Sequence, residues 1–141
     1  MSLFNVFDIS GSAMSAQSVR LNTTASNLSN ANSVSSSVDE TYRARHPVFA
    51  AEMTRAQANM NNTENVGVQV KGIVESDKPL QIEYSPNHPM ADKNGYIYKP
   101  NVNVMEEMAN MISASRAYET NIQIADSAKK MLSRTLRLGQ G

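Results

Sequence analysis

The chain has 141 residues, about one domain's worth, with 13 basic and 13 acidic side chains and a formal net charge of zero. That balance gives no electrostatic basis for capturing nucleic acid or an anionic membrane, and the absence of cysteine excludes disulfides and thiolate zinc sites. No run is apolar enough to span a bilayer, and MSLFNVFDISGSAM lacks the basic stretch and unbroken apolar core of a secretory signal.

The first predicted element is a helix within residues 1–32. Between Leu3 and Asn32 the only charges are Asp8 and Arg20. Phe7, Met14, Leu21 and Leu28 recur every seven residues, flanked on the same side by Phe4, Gly11, Ser18 and Ala25. This is a narrow heptad seam whose small members let another helix approach closely. The stretch NTTASNLSNANSVSSS is uncharged and rich in side chains that compete for backbone hydrogen bonds, so the helix should end near Asn30–Asn32. Residues 33–41 then read as a Ser-rich, flexible linker.

Residues 42–101 read as a small β-rich domain. Tyr42 to Phe49 is a candidate strand that Pro47 confines to an edge. Ala50 to Asn62 is ambiguous, since Ala and Met favour helix while Asn59, Asn61 and Asn62 favour a loop. Val66 to Val74 alternates in part, and Leu80 to Tyr84 alternates cleanly after the turn Asp77-Lys78-Pro79. The turn signal Asn94-Gly95 leads into Tyr96-Ile97-Tyr98.

Residues 102–141 form the second helical part. Pro100 stops propagation from before it, and Asn103 with Glu106 has the spacing of an N-cap and capping box. Glu106 and Glu107 near the start, and Lys129, Lys130, Arg134 and Arg137 near the end, suit the helix dipole. Gly139 is well placed to terminate a helix of roughly 54 Å at about 1.5 Å per residue. One ladder runs Val104, Met108, Met111, Ser115, Tyr118, Ile122, Ala125, Lys129, Leu132, Leu136; another runs Asn121, Ile124, Ala128, Met131, Thr135, Leu138. A single partner helix cannot bury both. The expected class is α+β: long N- and C-terminal helices paired as a coiled-coil-like helical domain, with a small β-rich insertion between them.

Energetics point to assembly. A fully buried large apolar side chain contributes roughly 1.5–3 kcal/mol, while fixing each residue's backbone costs about 1–2 kcal/mol. Two long helices with so few large seam residues are marginal as an isolated pair, so the terminal helices are expected to order when neighbouring copies cover them. The residues assigned to that interface are Phe4, Phe7, Met14, Leu21 and Leu28, with Val104, Met108, Met111, Tyr118, Ile122, Ile124, Met131, Leu132 and Leu136.

Catalytic chemistry is not expected. His46 and His88 both precede proline without a second ligand at metal-site spacing, and Asp92-Lys93-Asn94-Gly95 lacks the remaining ligands of a calcium loop. No nucleophile elbow or phosphate loop occurs. Arg116 and Glu119, three apart, read as a solvated or interface pair. The expectation is no enzyme, no cofactor, no metal and no small-molecule substrate. A rival reading is a soluble helical adaptor or export chaperone that grips a partner helix with Met105, Met108, Met111 and Met131.

Several stretches resemble the bacterial flagellar axial family, and within it the proximal rod proteins. Ala25-Ser26-Asn27-Leu28-Ser29-Asn30-Ala31-Asn32 is similar to that family's A-x-N-L-A-N-x-N motif, departing from it at Ser29. Tyr42-Arg43-Ala44-Arg45, Pro47-Val48-Phe49, Tyr84 to Asp92 and Gly95-Tyr96-Ile97 fit the segments that follow. Pro100-Asn101-Val102-Asn103-Val104-Met105-Glu106-Glu107-Met108 and Ala114-Ser115-Arg116-Ala117-Tyr118-Glu119-Thr120-Asn121 are the most specific. The motif positions are thus Asn27, Leu28, Asn30, Asn32, Asn101, Asn103, Arg116, Tyr118, Glu119 and Asn121. The resemblance implies a structural subunit of the tubular, torque-transmitting periplasmic rod of the basal body. It also implies export by the flagellar type III apparatus without a cleaved signal. The implied partners are copies of itself, other proximal-rod proteins and the export-gate adaptor at the rod base.

Overall fold

A computed structural model describes residues 3–52 and 66–139. Helix α1 spans Leu3–Asn30, strands β1 and β2 span Arg45–Ala51 and Val68–Glu75, strands β3 and β4 span Gln81–Tyr84 and Tyr96–Lys99, and helix α2 spans Val104–Leu138. The α+β expectation holds, with two long terminal helices around two small two-stranded sheets, β1–β2 and β3–β4. The expected strands appear within a few residues of their sequence positions. Of the ambiguous stretch, Ala50 and Ala51 close β1, while 53–62 lie outside the described residues.

Helix ends follow local chemistry. The Asn103 side chain accepts from the backbone N–H of Met105 at 3.1 Å and of Glu106 at 3.4 Å, capping α2. The Glu106 carboxylate does not close the reciprocal box but lies 3.9 Å from the Lys78 ammonium. At the other end the Gly139 N–H reaches Thr135 O at 3.2 Å. Helix α1 ends at Asn30, where the Asn30 side chain donates to Ser26 O at 2.8 Å.

The Ser-rich stretch departs from the flexible linker expected of it. Ser35 is buried and exchanges two backbone hydrogen bonds with Tyr98, each 3.0 Å, as an isolated antiparallel bridge. Serine composition marks a chain that can stay solvated, but an open strand edge at β4 supplies backbone partners that composition does not reveal.

The chain divides into two compact units. One comprises Arg20–Pro47 and Ile73–Ile112. Its apolar centre is Ala44, Ile97, Pro100 and Val102, all buried. Strand β3 pairs antiparallel with β4, Ile82 opposite Tyr98 and Tyr84 opposite Tyr96, so these four side chains share a face. The Tyr84 and Tyr96 rings meet edge-on at 5.2 Å. On the opposite face Ile97 faces inward, and Lys99 pairs with Glu83. The other unit comprises Met1–Val19, Val48–Gly72 and Ser113–Gly141. Here Ser12 on α1 accepts from the Val68 N–H at 3.1 Å, and Glu52 N–H donates to Gly67 O at 2.9 Å. A Cβ on Gly67 would stand 2.8 Å from the Ser12 hydroxyl, so the strand approaches the helix closely there. This division differs from the expected split at 32, 41 and 101, because contacts cut each long helix in two rather than separating helices from strands.

Candidate assembly surface

Both helices bury a different stripe from the one their large apolar residues mark. On α1 the buried positions are Ser10, Ala16, Thr23, Thr24 and Asn27, which are small or polar. The heptad residues Phe7, Met14, Leu21 and Leu28 lie beside that stripe and are only half-buried, and Phe4 is exposed. On α2 the covered seam runs Glu107, Met111, Ala114, Tyr118, Asn121, Ala125, Ala128, Leu132, alternating by fours and threes. It combines members of both sequence ladders.

The predicted interface residues of α2 therefore separate into two sets. Val104, Met111, Tyr118 and Leu132 are half-buried within the protomer. Met108, Ile122, Ile124, Met131 and Leu136 are exposed, as are Met105 and Ile112. At 3.6 residues per turn, Ile122 and Ile124 fall on opposite flanks of the covered seam, each 44% exposed. Lys129, also exposed, lies beyond the seam.

The motif residues play a separate part. Asn27 is fully buried and uses its whole hydrogen-bonding capacity. Its Nδ2 donates to Arg45 O at 2.8 Å and to the Glu107 carboxylate at 3.0 Å. Its Oδ1 accepts from the Tyr42 hydroxyl and from the Arg45 N–H, both at 2.8 Å. Because Tyr42 spends its proton there, Ser26 donates to the Tyr42 oxygen at 3.2 Å.

Asn101 grips Ala44, the residue just before β1. Its Oδ1 accepts from the Ala44 N–H at 2.8 Å, and its Nδ2 donates to Lys78 O at 2.8 Å and Ser76 O at 3.1 Å. The Ser76 N–H returns to Ala44 O at 2.8 Å. Every backbone group of residues 44 and 45 is thus held, two by Asn27 from α1, one by Asn101 at the approach to α2, and one by the strand neighbour. Arg45 adds an ion pair with Glu75 at 3.1 Å and sits over the Tyr42 ring, 5.5 Å from its centroid. Arg20 Nη2 donates to Asn110 Oδ1 at 2.9 Å, a second polar link between α1 and α2.

The other motif positions are less central. Leu28 and Tyr118 are half-buried, while Asn32, Arg116 and Glu119 are exposed. Asn121 turns its amide back onto Ala117 O at 2.8 Å. Tyr42, Arg45 and Glu107 entered the sequence reading only as members of family segments, Glu107 also as a first-turn acid, and none was assigned to a site. For Glu107 a signal existed: it starts the seam register that contains Ala114, Ala125 and Ala128. Among the described residues no three His, Asp or Glu side chains are grouped to hold a metal ion, and no helix is long and apolar enough to cross a membrane.

Two protein-family models match the chain: flagella basal body rod protein over residues 7–35, and flagellar basal body rod FlgEFG protein C-terminal over residues 93–138. The flagellar basal-body rod protein FlgC of Salmonella typhimurium is 46% identical over 140 residues, covering 99% of this chain and 100% of that protein. FlgC of Escherichia coli O6:H1 is 44% identical with the same coverage. FlgC of Buchnera aphidicola subsp. Acyrthosiphon pisum is 39% identical, again over 99% of this chain and 100% of the relative. Rod-family models match both helical ends, and the full-length relatives also take in the clamped strand between them; the chain belongs to the flagellar basal-body rod protein family.

Proposed function

We infer that this chain is a structural subunit of the flagellar basal-body rod, and that it assembles through the terminal helices into the tubular proximal rod that transmits torque. The observation that carries the reading is the full-length similarity to basal-body rod proteins. The exposed flanks of α2 and the half-buried heptad of α1 supply the mechanism. Each protomer keeps its small-residue stripes for its own packing and leaves its large apolar residues for neighbours, where burial contributes roughly 25 cal/mol per Å². The exposed face of the β3–β4 hairpin, with Ile82, Tyr84 and Tyr96, can contact adjacent subunits outside the helical layer. Neighbours in this reading are further copies, other proximal-rod proteins and the export-gate adaptor at the rod base. Delivery is by the flagellar type III apparatus into the periplasm, without a cleaved signal. The test is complementation. A strain deleted for its own equivalent protein should regain motility on expressing this chain, and the chain should be recovered in purified basal bodies at rod stoichiometry. Restored motility without the chain in the rod, or the chain found only in the cytoplasm with partner proteins, would favour an adaptor.

A further inference from the structure

The turn between β3 and β4 contains the single Asn-Gly pair of the sequence, Asn94-Gly95. Gly95 adopts a φ of +83°, a conformation that favours glycine. A Cβ there would also come within 2.9 Å of the Tyr84 ring and 3.1 Å of Pro86 Cβ. The fold therefore requires glycine at 95. That requirement has a chemical cost, because an unhindered glycine nitrogen is the best intramolecular nucleophile an asparagine side chain can have beside it. Asn94 is exposed, and its side-chain amide makes no hydrogen bond among the described residues.

Asp92 restrains this pair. Its backbone carbonyl accepts from the Gly95 N–H at 3.0 Å, and its carboxylate accepts from the N–H groups of Asn94 at 2.7 Å and Tyr96 at 2.9 Å. The reacting nitrogen is thus bonded away from the Asn94 side chain. A carboxylate beside it also opposes the negative charge it must take on to attack.

We propose that Asn94 is a latent site of covalent modification, converting to aspartate and isoaspartate through a succinimide when the Asp92 turn opens and staying intact while it is closed. The Gly95 amide gives its proton to solvent base and attacks Asn94 Cγ. A bond forms between that nitrogen and Cγ, the Cγ–NH2 bond breaks, and the nitrogen leaves as ammonia after taking a proton from water. One water molecule then opens the ring. Addition at the side-chain carbonyl gives aspartate, and addition at the main-chain carbonyl gives isoaspartate; no electron transfer is involved. Isoaspartate inserts a methylene into the main chain between Asp92 and Tyr96, so the contacts that hold the turn cannot re-form. The modification is therefore self-locking: a turn opened long enough to react does not close again.

The full chain is incubated in mildly alkaline buffer, folded and in urea, and Asn94 conversion is followed by peptide mass mapping with isoaspartate detection. The folded chain should convert at least about tenfold more slowly than the unfolded one, reflecting the rare opening of a hydrogen-bonded turn. Asp92→Ala should bring the folded rate close to the unfolded rate, and Asn94→Gln should abolish the signal. Because Asp92→Ala could loosen more than the turn, the unsubstituted chain is also followed in sub-denaturing urea. There, Gly95 amide exchange and Asn94 conversion should rise together. Equal rates in the folded and unfolded chains, no conversion when unfolded, or Gly95 exchange rising without conversion would each overturn the proposal.

Discussion

Asn27 shows how a single side chain can set the geometry of a junction. Removing it leaves buried Glu107, and the part-buried Tyr42 hydroxyl and Arg45 backbone, without the partner they share; a buried unsatisfied group costs about 1–3 kcal/mol and a part-buried one less. Asn27→Ala should therefore destabilise the chain by about 2–4 kcal/mol in urea unfolding, allowing for partial relaxation. Asn27→Asp has nearly the same shape but trades a donor for an acceptor facing Glu107, so it should be at least as damaging; pairing it with Glu107→Gln should recover part of the loss. Asp92 is a second case. Hydrogen bonds from the Tyr96 backbone, and then from Asn94 and Gly95, outweigh desolvation and hold its carboxyl below its usual 3.8. A depressed folded value means the stabilisation is complete above the unfolded pKa and is lost as pH falls through the folded one. Thermal unfolding followed from about pH 5 downward should show this acid-side loss, and Asp92→Asn should flatten it. The alternation of Leu80 to Tyr84 and the Asn94-Gly95 signal made the hairpin legible in sequence. The polar hub was not legible in the same way. Asn27, Tyr42, Arg45 and Glu107 are separated by up to 80 positions, and no local periodicity ties them together.

At the scale of elements, the helices separate two properties that a hydropathy pattern merges. A pattern shows which residues benefit from burial, and it marks the large seam residues of α1 as one stripe. It does not show whether the covering surface belongs to the same chain. Within the protomer full burial goes to the small or polar Ser10, Ala16, Thr23, Thr24 and Asn27, while Phe7 and Met14 stay half-buried. The end signals of α2 were local, and so Pro100, Asn103 and Gly139 placed its ends well. Its two flanks give the sharpest test. Ile122→Asp and Ile124→Asp each replace a side chain 44% exposed in the protomer, so each should cost the isolated chain less than about 1 kcal/mol. In an assembly that covers both flanks, an unpaired carboxylate on either is desolvated at several kcal/mol. Both variants should be expressed and folded yet absent from purified basal bodies, and the cells should not swim. Lys129→Leu should assemble, since an exposed lysine at the edge of the packed layer is replaced by an apolar side chain and no buried charge is created. Normal rods containing the Ile124→Asp variant would leave only one working flank.

For the whole molecule, the distribution of polar links sets how stability is shared along the chain. The unit of Arg20–Pro47 and Ile73–Ile112 contains the Asn27 and Asn101 clamps, the Arg20–Asn110 link and the buried Ile97 and Val102. In the remainder of α2, Ile122, Ile124, Met131 and Leu136 lie exposed. Amide exchange on the dilute monomer should therefore show protection in Arg20–Asn30 and Val104–Ile112 together with β3 and β4. It should be fast in residues 4–19 and 113–138. The narrow seam of α1 and the two ladders of α2 leave both terminal helices labile and a protected β middle between them. The structure moves the expected boundary into the helices, near residues 19 and 112. Uniform protection along all of α2 in a proven monomer would remove the basis for ordering on assembly.

The grip on residues 44 and 45 also has a mechanical meaning. Asn27 bonds directly to Arg45, 18 positions later, so a pull from α1 into β1 crosses the amide bridge and skips the chain between them. The segment 31–41, pinned at Ser35 to Tyr98, runs in parallel with that short strut. Added length there carries no tension, and the entropic penalty of doubling such a loop is only about 0.6 kcal/mol. Under load the first bonds to yield should be those of the asparagine, not those of the serines.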